Sequence, residues 1–159
     1  MKIFSGNSNL PLARKIASYV GVPLGSVELN KFSDGELRVA FNENIRGEDV
    51  FIIQSTNPPA ENLMELLLML DAAKRASANT VTAIMPYYGY ARQDRKDKPR
   101  VPISARMILD LMSAAGVDRM VTMDLHSPQI QGFTNVPFDN LYSRIALFNK
   151  LQDYNLDFE

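Results

Sequence analysis

Three times along this chain a short run of apolar and β-branched residues gives way to a loop and then to a stretch with helical apolar spacing, and this alternation restricts the fold more than any other feature. Val50-Phe51-Ile52-Ile53 leads through Asn57-Pro58-Pro59 into a stretch whose Leu63, Leu66, Leu67, Leu70 and Ala73 share one helical face. Val81 to Met85 leads through a long polar loop, Tyr87 to Val101, into a helix over Pro102 to Ala115. Its Ile103, Met107, Ile108 and Leu111 are expected to point inward, and Gly116 stops it. Met120 to Met123 leads through Asp124 to Asn140, expected to be mostly loop, into a last helix with Leu147, Phe148 and Leu151 as its apolar face. Strands and helices alternating at this length predict an α/β fold, a mainly parallel sheet covered on both faces.

Upstream of these units, Lys2 to Phe4 is read as a strand and Ser5 to Asn9 as a turn. A helix follows with Pro11 in its first turn, Ala13, Ile16, Ala17 and Val20 on one face, and Gly21 as its stop. Val27 to Phe32 and Glu36 to Phe41 are extended runs joined through Ser33-Asp34-Gly35. They form an antiparallel hairpin beside the main sheet, the Asp-Gly pair supplying the positive φ angles of a tight turn. The chain is read as one domain over residues 1–159, ending on Asn155-Leu156-Asp157-Phe158-Glu159 without capping anything, as if cut short before a further strand.

A chain of 159 residues can bury a sizeable core without staples. It has no cysteine, which excludes a disulfide framework, a thiolate metal site and a cysteine nucleophile, and fits a reducing cytoplasm. Met1 to Gly6 lacks a signal-peptide pattern, and the longest apolar run, Leu66 to Leu70, is far too short to span a bilayer. With a formal net charge of -1 the molecule offers no polycationic surface to nucleic acid or membrane, so any anion site is local.

In open α/β sheets ligands bind beyond the carboxyl ends of the strands. After Val81 to Met85 comes Pro86-Tyr87-Tyr88-Gly89-Tyr90-Ala91-Arg92-Gln93-Asp94-Arg95, and Arg92 to Arg100 sets five cations against two carboxylates. Aromatic side chains beside guanidinium forks suit a nucleoside polyphosphate; a solvated charged loop and an RNA-binding surface are the competing readings. After Met120 to Met123 comes Asp124-Leu125-His126, with the chain's one histidine. That imidazole could hold Mg²⁺ or polarise a phosphate, with Asp124 on the same side of an extended backbone; alternatively it merely bonds a carbonyl at a loop start. Phe32-Ser33-Asp34-Gly35-Glu36 is either a plain hairpin turn or an adenine site, with a ring face on Phe32 and acceptors on Asp34 or Glu36. There is no Walker loop, dinucleotide fingerprint or glycine-flanked nucleophilic serine.

Taken in order, Lys2-Ile3-Phe4-Ser5-Gly6, Phe32 to Glu36, Arg46-Gly47-Glu48-Asp49-Val50, Tyr90 to Asp97, Pro102-Ile103-Ser104-Ala105, Asp124-Leu125-His126, Gln129 to Phe133 and Asp139-Asn140-Leu141-Tyr142 resemble the ribose-phosphate pyrophosphokinase family over nearly the whole chain. The resemblance implies a phosphoribosyltransferase-like fold and transfer of the diphosphoryl group of ATP to the 1-hydroxyl of ribose 5-phosphate, with Mg²⁺ required and AMP released. It implies that Phe32, Asp34 and Glu36, with Gly35 in the same turn, meet the adenine end of ATP bound to a neighbouring subunit of a hexamer. Arg92 and Gln93 match its ATP contacts, and Lys96 to Arg100, with Asp97, matches a mobile loop over the nucleotide. His126 matches a ligand of the catalytic Mg²⁺, and Arg46 a residue of a regulatory phosphate site.

Family members run to roughly twice this length. Their second half carries the catalytic loop, a further aspartate for Mg²⁺ and the ribose 5-phosphate cradle, none of which is found here. Pro128 stands where many relatives have a small or polar residue. The resemblance therefore implies an ATP-binding half with no catalytic residue of its own, inactive by itself. The alternative is a non-catalytic relative that assembles with and adjusts full-length subunits.

Overall fold

A computed structural model of the chain describes residues 1–152; the expected uncapped end at Asn155 to Glu159 lies outside the described residues. The main sheet has five strands, all parallel: β1 (Lys2–Ser5), β4 (Asp49–Ile53), β5 (Thr80–Met85), β6 (Arg119–Met123) and β7 (Phe138–Leu141), side by side in that order. β2 (Val27–Lys31) and β3 (Leu37–Phe41) form the expected antiparallel hairpin as a separate sheet.

Alternation along β4 explains how the sheet is covered on both faces. Val50 and Ile52 join Leu66, Met69, Leu70, Ala105, Ile108 and Leu109 in the larger core, under α2 (Glu61–Arg75) and α3 (Ser104–Ala114). Phe51 and Ile53 face the other way, with Ile3, Ala13 and Ile16, under α1 (Leu10–Val20). The hairpin packs onto the larger core through Val27, Leu29, Val39 and Phe41, whose ring meets Phe4 edge-on at 4.6 Å. Among the described residues no helix is long and apolar enough to cross a membrane.

Several expectations need correction. In α3 the buried apolar side chains are Ala105, Ile108, Leu109 and Met112, whereas Met107 and Leu111 are exposed. The helix carries two adjacent apolar stripes, and spacing alone does not say which meets the sheet. Val20 is likewise exposed, because α1 ends there and Gly21 turns the chain away in the left-handed region at φ 75°. The hairpin strands join through the expected Ser33-Asp34-Gly35, with Phe32 N donating to Glu36 O and Gly35 N to Phe32 O, but only Gly35 of the Asp-Gly pair has positive φ, at 95°. The segment expected as mostly loop before Asn140 holds a 3-10 helix, Pro128–Phe133, and strand β7. The last helix, α4 (Arg144–Gln152), buries none of its side chains; Leu147, Phe148 and Leu151 are all exposed, since no described element lies against them.

Candidate functional site

The carboxyl ends of β4, β5 and β6 open onto a cavity of about 510 Å³. Thr56 and Pro58 follow β4, Tyr87 to Gln93 follow β5, and Met123 to His126 end and follow β6. The structure thus brings the guanidinium-bearing loop and the lone imidazole to one hollow.

Hydrogen bonds fix each wall. Thr56 N donates to Tyr87 O at 3.0 Å, and Gly89 N donates to Thr56 Oγ1 at 2.8 Å. The Tyr88 hydroxyl donates to Ala105 O at 2.7 Å and ties the β5 loop to α3. Burial pushes the Tyr88 phenol above the usual tyrosine range, with the charge of Asp110 adding to the effect. Ala105 N donates to Gln93 O at 3.1 Å, and Ser104 Oγ donates to Gln93 Oε1. Gln93 therefore anchors the loop to the first turn of α3. Tyr90 and Asp124, which both line the cavity, have left-handed backbones at φ 62° and 50°, a conformation that costs a non-glycine residue energy.

Arg92 is exposed at the cavity rim. Together with Arg95, Lys96, Lys98 and Arg100 it makes no ion pair among the described residues, whereas Lys2, Lys31, Arg38, Lys74, Arg75, Arg106 and Arg119 each hold a carboxylate. With five cations against Asp94 and Asp97, none of them ion-paired among the described residues, the loop presents a net positive charge to an anion. At an effective dielectric of about 20, a unit pair about 4 Å apart is worth on the order of 4 kcal/mol before desolvation. Asp97 is exposed farther along the same loop and does not line the cavity.

Asp124 and His126 both line the cavity, but not through the extended geometry expected of them: β6 ends at Met123, and the left-handed turn at Asp124 breaks the strand alternation. Asp124 Oδ1 accepts from Ser143 N at 3.1 Å, and hydrogen bonding from Ser143, its side chain first and then its amide, holds this carboxyl below its usual range. The shift favours the anionic form, and the carboxylate lies exposed on the cavity lining. No group of three or more His, Asp or Glu side chains that could hold a metal unaided occurs among the described residues. An imidazole and one carboxylate fit Mg²⁺ as a partial donor set, of the kind completed by water and phosphate oxygens.

The hairpin residues stand apart from this cavity. Phe32 is exposed at the tip with the Arg38 guanidinium 6.0 Å from its ring centre, and Asp34 Oδ1 accepts from Glu36 N at 3.1 Å. None of Phe32, Asp34, Gly35 and Glu36 lines the cavity. Arg46 is exposed in the turn between β3 and β4, where its amide donates to Asn44 Oδ1 at 3.0 Å, ahead of the first residue of β4 and so at the end of that strand opposite the cavity. Thr56 and Pro58 line the cavity without having been singled out from the sequence. Their place just beyond the end of β4 is the same signal that marks the loops after β5 and β6, and it suffices to find them.

Residues 1–116 match the family model described as the N-terminal domain of ribose phosphate pyrophosphokinase. A ribose-phosphate pyrophosphokinase from Chlorobaculum tepidum is 59% identical over 156 residues, which is 98% of this chain and 48% of that protein. One from Thermotoga maritima is 59% identical over 144 residues, 90% of this chain and 46% of that protein. In structure, the chain is similar to phosphoribosylpyrophosphate synthetase from Mycobacterium smegmatis, with a TM-score of 0.91 and 42% identity over 96% of this chain and 52% of that one. The chain thus spans about half the length of the curated relatives it matches.

Proposed function

The chain belongs to the ribose phosphate pyrophosphokinase family, and on that premise we propose that it forms the ATP-binding half of an enzyme that transfers the diphosphoryl group of ATP to the 1-hydroxyl of ribose 5-phosphate. The observation that carries this reading is the shared cavity, whose lining brings together the unpaired Arg92 guanidinium, the His126 imidazole and the anionic Asp124 carboxylate. Phosphoryl chemistry depends mostly on positioning and on neutralising spreading charge. In this reading Arg92 forks onto polyphosphate oxygens, Gln93 fixes the loop against α3, and Asp97 belongs to the segment that covers the nucleotide.

His126, with Asp124, would hold Mg²⁺ in the cavity that Arg92 also lines; when bound, the ion would neutralise phosphate charge. Phe32, Asp34, Gly35 and Glu36 serve the adenine of ATP held by a neighbouring copy, consistent with a hairpin tip that stands free of its own chain's cavity. Arg46, at the far end of β4, belongs to a separate regulatory phosphate site. The working assembly is a homo-oligomer in the cytoplasm without nucleic acid or membrane partners, and this half alone does not turn over.

Calorimetric titration of the chain with ATP tests the reading. Binding should be selective for adenine and strengthened by Mg²⁺, with no AMP released when ribose 5-phosphate is added. Preference for single-stranded RNA, with affinity falling steeply as salt rises, would replace it with a nucleic-acid module.

A further inference from the structure

The segment that carries His126 is held by a side-chain clasp built from two motifs with no assigned role. On the near side, Leu125 N donates to Asn140 Oδ1 at 3.0 Å. On the far side, Gln131 Nε2 donates to Pro128 O at 3.0 Å. The two arms are joined, because Asn140 N donates to Gln131 Oε1 at 3.2 Å. Residues 125 and 128 are therefore fixed to one another through Asn140 and Gln131, with His126 between them.

The clasp stands on rigid ground. Asn140 lies in β7, in parallel register with Thr122 of β6, and Gln131 lies in the 3-10 helix beside the fully buried Ile130. Backbone bonds secure the two ends of the turn, Asp124 N donating to Leu141 O at 2.9 Å and Ile130 N to Ser127 O at 3.2 Å where the 3-10 helix begins. Leu125 N, directly before the imidazole, depends on the side-chain amide of Asn140, whereas Pro128 O lies in the 3-10 helix and takes the Gln131 side chain in addition to the helix's own bonding.

We infer that Asn140, braced by Gln131, is the positioning residue that sets the His126 imidazole at the cavity. This rests on the reading of His126 as a ligand of the metal–nucleotide complex. Partners bonded to a metal-binding imidazole itself weaken metal affinity by roughly ten- to a hundredfold when removed. Asn140 acts one step farther out, through the Leu125 amide, so the lower end of that range, about tenfold, is expected. The amide nitrogen of Asn140 is buried without a hydrogen-bond partner among the described residues, so Asn140→Asp keeps the oxygen that accepts from Leu125 N and sacrifices no protein hydrogen bond.

His126 is the chain's one histidine, so its imidazole gives a single set of nuclear magnetic resonance signals. With ATP present, Mn²⁺ as a paramagnetic stand-in for Mg²⁺ should broaden those signals in the native chain. Asn140→Leu should need about tenfold more Mn²⁺ for the same broadening, and Asn140→Asp no more than the native chain. Backbone amide spectra of β1 to α3 serve as the folding control. If Asn140→Leu does not fold, Gln131→Leu carries the same expectation.

The inference is overturned if the leucine and aspartate variants respond to Mn²⁺ alike. Should the native imidazole ignore Mn²⁺ altogether, the metal reading falls instead, and the clasp is judged separately by chemical shift. The imidazole signal must then move in Asn140→Leu and hold its native position in Asn140→Asp; any other pattern removes the clasp as well.

Discussion

Gly89 and Thr56 meet backbone to backbone across the cavity floor: a β-carbon on residue 89 would stand 2.1 Å from the Thr56 carbonyl oxygen, and Gly89 N already donates to Thr56 Oγ1 at 2.8 Å. The obstacle is main chain, which cannot rotate aside as a side chain would. Gly89→Ala should therefore push the β5 loop off the end of β4, costing about 1 to 3 kcal/mol in denaturant unfolding and lowering ATP affinity with it. Thr56→Val tests the hydrogen bond without the clash, and should cost about 1 kcal/mol. An alanine variant with native stability and affinity would show that the loop is not seated this way.

Arg92 is the cation that lines the cavity itself, and none of the described carboxylates pairs with it. Hydrogen bonds to charged groups are worth about 1.5 to 3 kcal/mol, so Arg92→Ala should weaken ATP binding by roughly ten- to a hundredfold with little change in melting temperature. Arg92→Lys should recover part of the loss, keeping the charge but not the two-pronged geometry. Calorimetry on the three proteins decides it; equal affinities would remove Arg92 from the site.

Tyr88 gives a pH signature. Its folded-state pKa is raised by burial above that of the unfolded chain, so the folded state keeps a proton that the unfolded state releases above about pH 10. Its contribution is whole below that pH and declines as pH climbs toward the folded value. Tyr88→Phe loses the bond to Ala105 O and should be less stable by about 0.5 to 1.5 kcal/mol at neutral pH. The gap between the two proteins should narrow above about pH 10. Urea midpoints measured across that range test the sign, and a gap that does not change with pH would contradict it.

The βα alternation was readable because β1, β4, β5 and β6 are runs that only a buried strand accounts for, each bounded by a turn or a helix stop. β7 was not: Phe138-Asp139-Asn140-Leu141 follows a proline, has two polar residues of four, and pairs with β6 along one side only. Its role depends on a neighbour distant in sequence, which local pattern does not encode. The same holds for the site. Arg92, Gln93, Asp124 and His126 could be picked out because each lies beyond a strand end, and the sheet brings them to one cavity. The bond from Leu125 to Asn140 spans fifteen positions, and that between Gly89 and Thr56 thirty-three, so both become visible only once the strands are in register.

Phe32 separates a site built within one chain from a site shared between two. Its ring is half exposed at the hairpin tip, away from the cavity that holds Arg92, so Phe32→Ala should change stability by no more than about 0.5 kcal/mol. Stacking of a base on an aromatic ring is worth about 1 to 3 kcal/mol, and in the shared arrangement the variant loses it at its partner's nucleotide rather than its own. Phe32→Ala and Arg92→Ala chains should each bind ATP weakly. Mixed together, they should regain a fraction of tight sites, because a pair formed from one of each joins an intact Phe32 to an intact Arg92. If both defects belonged to one chain's own site, every chain in the mixture would still carry a damaged site, and calorimetry would find only the weak affinities of the separate variants.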